Sequence, residues 1–179
     1  MEEKLLIKKA KRGNNKAFMD LLRIYEKDMY LLAKYMVKDE ELVKDAVQDT
    51  ILRVYERIEY LKNDDSFKFW LLKILGNKCR DILKNDKNII YLDVQIEEGY
   101  RDKGYDEIEI KSCIEKLNES QREIITLYYF NELTYKEISE IMNIPEGTVK
   151  SKLSRAKEYL GNIINEEERK INEIRRNIK

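Results

Sequence analysis

The side chains best suited to chemistry in this chain lie between residues 148 and 160, where cationic and hydroxyl groups alternate with apolar ones. The apolar residues recur at three- or four-residue intervals, as on one side of a helix: Val149, Leu153, Ala156 and Leu160. The other side then carries cations and hydroxyls: Lys150, Ser151, Lys152, Ser154, Arg155 and Lys157. Ammonium and guanidinium groups suit phosphates and guanine edges, and short hydroxyls let a helix sit deep in a groove. The pattern indicates a helix that binds nucleic acid.

A second, shorter helix is predicted directly before this one. Thr134 and Glu137 have the spacing of a capping box, which satisfies free amides at a helix start. Apolar residues follow at helical spacing, and Pro145 interrupts them because proline has no amide proton and restricts the residue before it. Two short helices joined by a tight turn are typical of a helix-turn-helix. The alternative is an ordinary helical hairpin with a solvated basic face.

Composition limits the other kinds of chemistry. The chain has 179 residues and no histidine, and its two cysteines, Cys79 and Cys113, do not have the spacing of metal ligands. The usual zinc sites, Ser-His and Cys-His catalysis and the commonest general base are therefore excluded. We expect no metal site and no cofactor.

Charge and hydropathy indicate a helical protein without membrane insertion. The chain has one proline and 6 glycines, which favours helix throughout, and 35 basic residues balance 35 acidic ones. A protein that coats DNA non-specifically is usually basic overall, so the basic patches here must be local and offset by acidic ones. No apolar run approaches the ~20 residues of a membrane span, and the N-terminus has no signal-peptide core. We expect a cytoplasmic protein.

An acidic helix is predicted from Asp39 to about Leu61. Residues 39–59 hold seven acids against three bases. Helical spacing gathers several polar side chains on one face: Asp45, Gln48, Asp49, Arg53 and Glu56. This face is either a solvated surface or a docking site for a basic partner.

The next helix, predicted to begin at Ser66, has the opposite charge. Residues 66–88 hold six bases and two acids. Its candidate surface residues interleave cations with aromatic rings: Phe67, Lys68, Trp70, Lys73, Asn77, Lys78, Arg80 and Lys84. Single-stranded nucleic acid needs charge for its phosphates and flat faces for its bases. The alternative is that Phe67 and Trp70 belong to the core.

These segments predict an all-α fold of two small helical domains joined by a flexible acidic linker. The N-terminal domain spans residues 1–86, and the linker spans 87–109, where helical periodicity fails and acids predominate. The C-terminal domain spans 110–165, with a second predicted capping box at Ser120 and Glu123. The charged tail, 166–179, either continues the last helix or frays.

Three blocks, in this order, resemble the extracytoplasmic-function (ECF) sigma factors of bacterial RNA polymerase. The family's polymerase-docking helix is similar to DAVQDTILRVYERI, and its −10 helices are similar to SFKFWLLKILGNKCRDILK. Its promoter-reading domain is similar to LNESQREIITLYYFNELTYKEISEIMNIPEGTVKSKLSRAKEYL. The resemblance covers roughly residues 4–162. The sequence departs from the family at several positions. Ile51 stands where phenylalanine is common, and Asn143 stands where glycine is common. Lysines stand at 150, 152 and 157, where arginine is common.

The resemblance implies a role for each block. It implies polymerase docking by Asp45, Gln48, Asp49 and Arg53. It implies contact with the unwound −10 strand by Phe67, Lys68, Trp70, Lys73, Asn77, Lys78 and Arg80. It implies contact with the −35 major groove by Thr148, Lys150, Ser151, Ser154 and Arg155.

The expected partners are core RNA polymerase, promoter DNA and an anti-sigma factor, and the chain itself is not expected to be an enzyme. A stand-alone helix-turn-helix regulator is the nearest rival, but such proteins usually dimerise, and no dimer domain or coiled-coil heptad is evident. A helical adaptor without a nucleic-acid role is a rival from another class. The basic recognition helix and the Phe67/Trp70 cluster argue against it.

Overall fold

The structure, a computed structural model, describes residues 2–85 and 112–177. Every regular element in these two ranges is helical, so the predicted all-α class is confirmed. The predicted acidic linker, 87–109, lies outside the described residues.

Four helices form the N-terminal domain. They are α1 (Glu2–Lys11), α2 (Asn15–Val37), α3 (Glu40–Arg57) and α4 (Phe67–Asn85). Asn14 caps α2 by accepting a hydrogen bond from the Ala17 amide, and Asp39 caps α3 in the same way. Two short 3₁₀ helices, Ile58–Tyr60 and Asp64–Ser66, lie between α3 and α4. The long, regularly apolar α2 packs against the other three helices and so organises this domain.

Three helices and a π-helical turn form the C-terminal domain. A short helical turn at 112–115 precedes α5 (Glu119–Ile125), and the π turn is Thr126–Phe130. Then come α6 (Tyr135–Met142) and α7 (Glu146–Asn177). Because α7 continues to Asn177, the tail extends the last helix, which was one of the two alternatives.

The predicted capping box at Ser120 and Glu123 is wrong. Asn118 is the N-cap of α5: its side chain accepts from the Gln121 amide at 3.0 Å, and the Gln121 side chain accepts from the Asn118 amide at 3.1 Å. Two candidate pairs overlap in this sequence, and the earlier one starts the helix. Glu123 is therefore left free to face the other domain.

The two domains pack on each other, which the sequence did not predict. Helices α2 and α4 contact α5 and α6, and buried side chains of both domains form one continuous apolar cluster. Among the fully buried side chains on the two sides are Leu71 and Leu75 of α4 and Ile124 of α5. The surfaces of α4 and α6 that meet here are therefore not open to solvent.

The corrected cap gives a stability test. Asn118→Ala removes the side-chain acceptor at the start of α5, so we expect it to lower the free energy of unfolding by about 1 kcal/mol. Ser120→Ala should cost less because it leaves the capping box intact, provided that both variants are made in a Lys152→Met background, which removes the Lys152–Ser120 hydrogen bond from the comparison. Chemical denaturation measures both. An equal or larger loss for Ser120→Ala would contradict the assignment.

Candidate nucleic-acid and polymerase interfaces

Local structure positions the basic helix α7. The capping box of α6 forms as predicted: the Glu137 carboxylate accepts from the Thr134 amide at 2.8 Å, and Thr134 Oγ1 accepts from the Glu137 amide at 3.3 Å. Asn143, in the left-handed conformation at φ 53°, ends α6. Pro145 then precedes the first turn of α7, where its missing amide proton costs nothing. The helix-turn-helix predicted from the sequence is present.

The outward face of α7 presents most of the predicted side chains to solvent. Val149, Leu153 and Ala156 are buried against the rest of the domain. Thr148 is half-buried, and four predicted side chains are exposed: Lys150, Ser151, Ser154 and Arg155. These groups form one surface, which we call the α7 face.

Two lysines of α7 have defined intramolecular partners. Lys150 Nζ lies 5.6 Å from the centroid of the Tyr135 ring, which is itself stacked on Tyr128. This cation–π contact orients the ammonium group beside the α7 face. Lys152, which the sequence pattern put on the outward side, is half-buried and donates to Ser120 Oγ at 2.9 Å. Lys152 thus ties α7 to α5.

The polar residues of α3 also form one exposed surface, which we call the α3 face. Asp45, Gln48 and Arg53 are exposed, whereas Asp49 is half-buried and ion-paired with Lys78 of α4. A docking candidate and a candidate for strand binding therefore share one ion pair. Sequence reasoning missed Leu52, which is 55% exposed and lies one turn beyond Gln48. The sequence does mark Leu52, because it is an apolar residue four positions after Gln48, within the polar stripe of α3.

The prediction that Phe67 lines a surface is wrong. Its side chain is 0% exposed and packs against the rings of Tyr25 and Trp70, at centroid distances of 5.5 and 6.1 Å. Trp70 is half-buried. Phe67 therefore belongs to the core in this conformation, as the alternative interpretation held.

Four of the five cations predicted on α4 form ion pairs within the protein, and the fifth, Lys84, is exposed. Lys68 pairs with Asp28 of α2 at 2.9 Å, and Lys78 pairs with Asp49. Two others reach the C-terminal domain: Lys73 pairs with Glu140 of α6 at 3.2 Å, and Arg80 pairs with Glu123 of α5 at 2.6 Å. Asn77 is exposed and accepts from Arg80 at 2.6 Å.

Burial dominates the electrostatics around Arg80. Burial raises the pKa of the Glu123 carboxyl above its ordinary value, and the Arg80 guanidinium opposes that shift. Burial likewise raises the pKa of the neighbouring Cys79 thiol to about 12, so Cys79 is an unreactive core residue.

A surface cavity of about 350 Å³ lies between the start of the α3–α4 loop and the first turn of α4. Arg57, Tyr60, Leu61 and Trp70 line it. Tyr60 is 74% exposed, which is unusual for an aromatic side chain beside a polar loop. Tyr60 precedes the polar loop and lies outside the basic segment 66–88, so the charge pattern did not identify it.

Two family models match the chain. The model for Sigma-70 region 2 matches residues 21–89, and the model for Sigma-70, region 4 matches residues 107–160. Together they cover most of α2, all of α3 and α4, and the helix-turn-helix.

Similar proteins are sigma factors. The ECF RNA polymerase sigma factor SigW of Bacillus subtilis is 31% identical over 86% of this chain and 92% of its own length. The sigma factor SigM of the same organism is 32% identical over 82% of this chain and 94% of its own. Among solved structures, the sigma factor RpoE of Bartonella quintana in complex with the anti-sigma factor NepR has a TM-score of 0.72, at 22% identity over 84% of this chain and 98% of that one.

The chain therefore belongs to the ECF sigma factors, a family of transcription initiation factors. It is a subunit that directs core RNA polymerase to promoter DNA.

Among the described residues, no helix is both long and apolar enough to cross a membrane. Residues 2–85 and 112–177 likewise contain no group of three or more potential metal ligands in position to hold an ion.

The position of Phe67 makes a clear prediction. Phe67→Ala empties a large core site and should lower the free energy of unfolding by about 3 to 5 kcal/mol, whereas Phe67→Leu should cost far less. Chemical denaturation of both variants checks this. A Phe67→Ala protein of parental stability that failed to open promoter DNA would restore the stacking role.

Proposed function

We propose that three surfaces divide the work of this sigma factor. The α3 face docks on core polymerase, the α7 face reads the −35 duplex, and α4 with its preceding loop handles the unwound −10 strand. The observation that carries this proposal is the α7 face, a row of exposed cations and hydroxyls on the second helix of a helix-turn-helix.

Different side chains of the α7 face suit different parts of the −35 element. Arg155 is exposed and has the planar fork that binds guanine O6 and N7 together. Lys150 is a point charge and cannot make that fork, so we assign it to a phosphate. Its place over Tyr135 fixes its direction and lowers the entropy lost on binding. Thr148, Ser151 and Ser154 are small enough to keep the helix close to the base edges.

The α3 face suits a protein partner with basic side chains. Asp45 and Gln48 supply exposed polar groups, and Leu52 supplies an apolar contact among them. An apolar centre with a polar rim is typical of protein interfaces. Asp49 serves a second purpose, because its pair with Lys78 joins the docking helix to α4.

The −10 strand requires flat faces, and Phe67 does not offer one. Tyr60 and Trp70, with Arg57, line the cavity beside the loop and take that role in our proposal. Stacking on an aromatic ring is worth roughly 1 to 3 kcal/mol per base. Phosphates of the same strand would replace the carboxylates that now pair with four cations: Lys68, Lys73, Lys78 and Arg80.

We further propose that this chain has no catalytic activity of its own, acts in the cytoplasm with the polymerase, and is held inactive by an anti-sigma factor. Two structures of similar fold support the last point. One is the Bartonella complex with NepR, and the other is CnrH with the cytosolic domain of CnrY, at a TM-score of 0.67 over 92% of this chain.

The docking role is best tested at Asp45, because Asp49 also pairs with Lys78. Asp45→Lys reverses charge at an exposed site, so the fold should be unaffected while affinity for core polymerase falls about tenfold, or ~1.4 kcal/mol. The defect should shrink as salt is added. Glu26→Lys makes the same change at an exposed position of α2 and is the matched control. Equal binding by the two variants in fluorescence titrations would refute the assignment.

The −35 role is best tested at Arg155. Arg155→Lys keeps the charge but loses the fork, so discrimination at one base pair should fall by about 1 to 3 kcal/mol. Lys150→Ala should instead weaken binding to all sequences alike. Selection of holoenzyme-bound duplexes from a randomised pool, followed by sequencing, measures both. A uniform loss for Arg155→Lys would make Arg155 a phosphate contact.

A further inference from the structure

The basic side of α4 is covered by the C-terminal domain. Arg80 is the centre of this contact: it donates to the Glu123 carboxylate of α5, to Asn77 Oδ1 on its own helix, and to the backbone carbonyl of Ile141 in α6. The Arg80 side chain is 20% exposed and that of Glu123 is 6% exposed. A guanidinium bound on three sides in this way has little capacity left for another ligand.

Close packing surrounds this polar centre. Gly76, one turn before Arg80, lies directly beneath α6, and a Cβ added there would come within 3.2 Å of Ile141 Cγ2. Glycine in mid-helix is unfavourable for the helix itself, and here it permits the close approach of α6. Lys73, one turn earlier, forms its ion pair with Glu140 at the edge of the same contact.

Two further hydrogen bonds hold the C-terminal domain against α2. Arg122 Nε donates to the carbonyl oxygen of Tyr35 at 2.9 Å, and Asn131 Nδ2 donates to the carbonyl oxygen of Asp28 at 3.3 Å. The contact between the domains therefore has polar anchors on α2 and on α4, with the shared apolar cluster between them.

We propose that this packed arrangement is a closed state of the free protein. In it, the carboxylates of Glu123 and Glu140 occupy the positions on α4 that strand phosphates would take. The −10 strand and the C-terminal domain therefore compete for Arg80 and Lys73. The competition rests on the −10 role proposed above for α4. The α7 face stays exposed in the closed state, so the two DNA-binding surfaces differ: −35 contacts need no opening, whereas −10 contacts require the domains to separate.

The chemistry of the pair makes such a closed state easy to open. Removing Arg80 and Glu123 from water is costly, and their attraction repays that cost only in part. On separation both groups regain water, and both can find new partners. Burial also raises the pKa of Glu123, which shows that its charge is held at a cost in the closed state. The Arg80–Glu123 pair thus sets the orientation of the two domains while adding little net free energy to their association.

Solution scattering of the full chain tests the closed state without DNA. A compact protein of 179 residues has a radius of gyration of roughly 16 Å. Gly76→Leu places a bulky side chain between α4 and α6 and should raise that radius towards about 20 Å or more, as expected for separated domains. Gly76→Ala, which needs Ile141 to yield only slightly, should stay compact. A parent protein that is already expanded would overturn the proposal.

Charge reversal gives a second test if Gly76→Leu fails to fold. Glu123→Lys sets an ammonium group against Arg80 and should expand the protein, and adding Arg80→Glu should make it compact again. Glu158→Lys, an equal charge change at an exposed site of α7, is the control and should stay compact. An unchanged radius for Glu123→Lys, or no compaction in the double variant, would refute the role of the pair.

Strand binding completes the test. A labelled random-sequence strand of twelve nucleotides, at low ionic strength, should bind the expanded Gly76→Leu protein at least about tenfold more tightly than the parent. It should bind Glu123→Lys at least about tenfold more tightly than Glu158→Lys, which carries the same net charge. An expanded variant that binds the strand no better than the protein it is compared with would overturn the competition. If the strand binds no form of the protein, even with core polymerase, then the −10 role of α4 itself fails, whereas the radii still report the closed state.

Discussion

The guanidinium of Arg80 is the group on which the arrangement of the two domains depends. It reaches a carboxylate of α5, an amide of its own helix and the last turn of α6. Each domain is small and its own core is modest. Packing α2 and α4 against α5 and α6 extends that core, and Arg80 sets the register of the contact because a buried charge must meet its partner or pay for desolvation.

The same interaction explains how a chain of zero net charge can serve as a DNA-binding subunit. The acids of the C-terminal domain neutralise the bases of α4, and the acids of α3 include Asp49, which pairs with Lys78. Only the cations of α7 remain exposed as a group among the described residues predicted to bind DNA. In our proposal, non-specific binding to DNA is limited until a −10 strand replaces the carboxylates that pair with the cations of α4.

Much of the fold was predictable, because it rests on local signals. The apolar periodicity of α2, the cap at Thr134 and the break at Pro145 each act within a few residues, so the helices and the helix-turn-helix followed from the sequence. Phe67 and Glu123 were misread because their roles depend on distant partners. Phe67 faces Tyr25 across the domain, and Glu123 faces Arg80 across the domain contact. Nothing within either segment specifies those contacts, whereas Leu52, an exposed apolar residue within a polar stripe, has a signal in its spacing alone.

The central claim, that the domains close on each other in the free protein, can be tested directly by measuring a distance between them. Spin labels at Arg23 of α2 and Glu158 of α7, both replaced by cysteine, would report it, because both positions are exposed and the native Cys79 and Cys113 are buried. Double electron–electron resonance should give one narrow distance for the free protein and a longer one after core polymerase is added. A broad distribution in the free protein, unchanged by polymerase, would contradict the account.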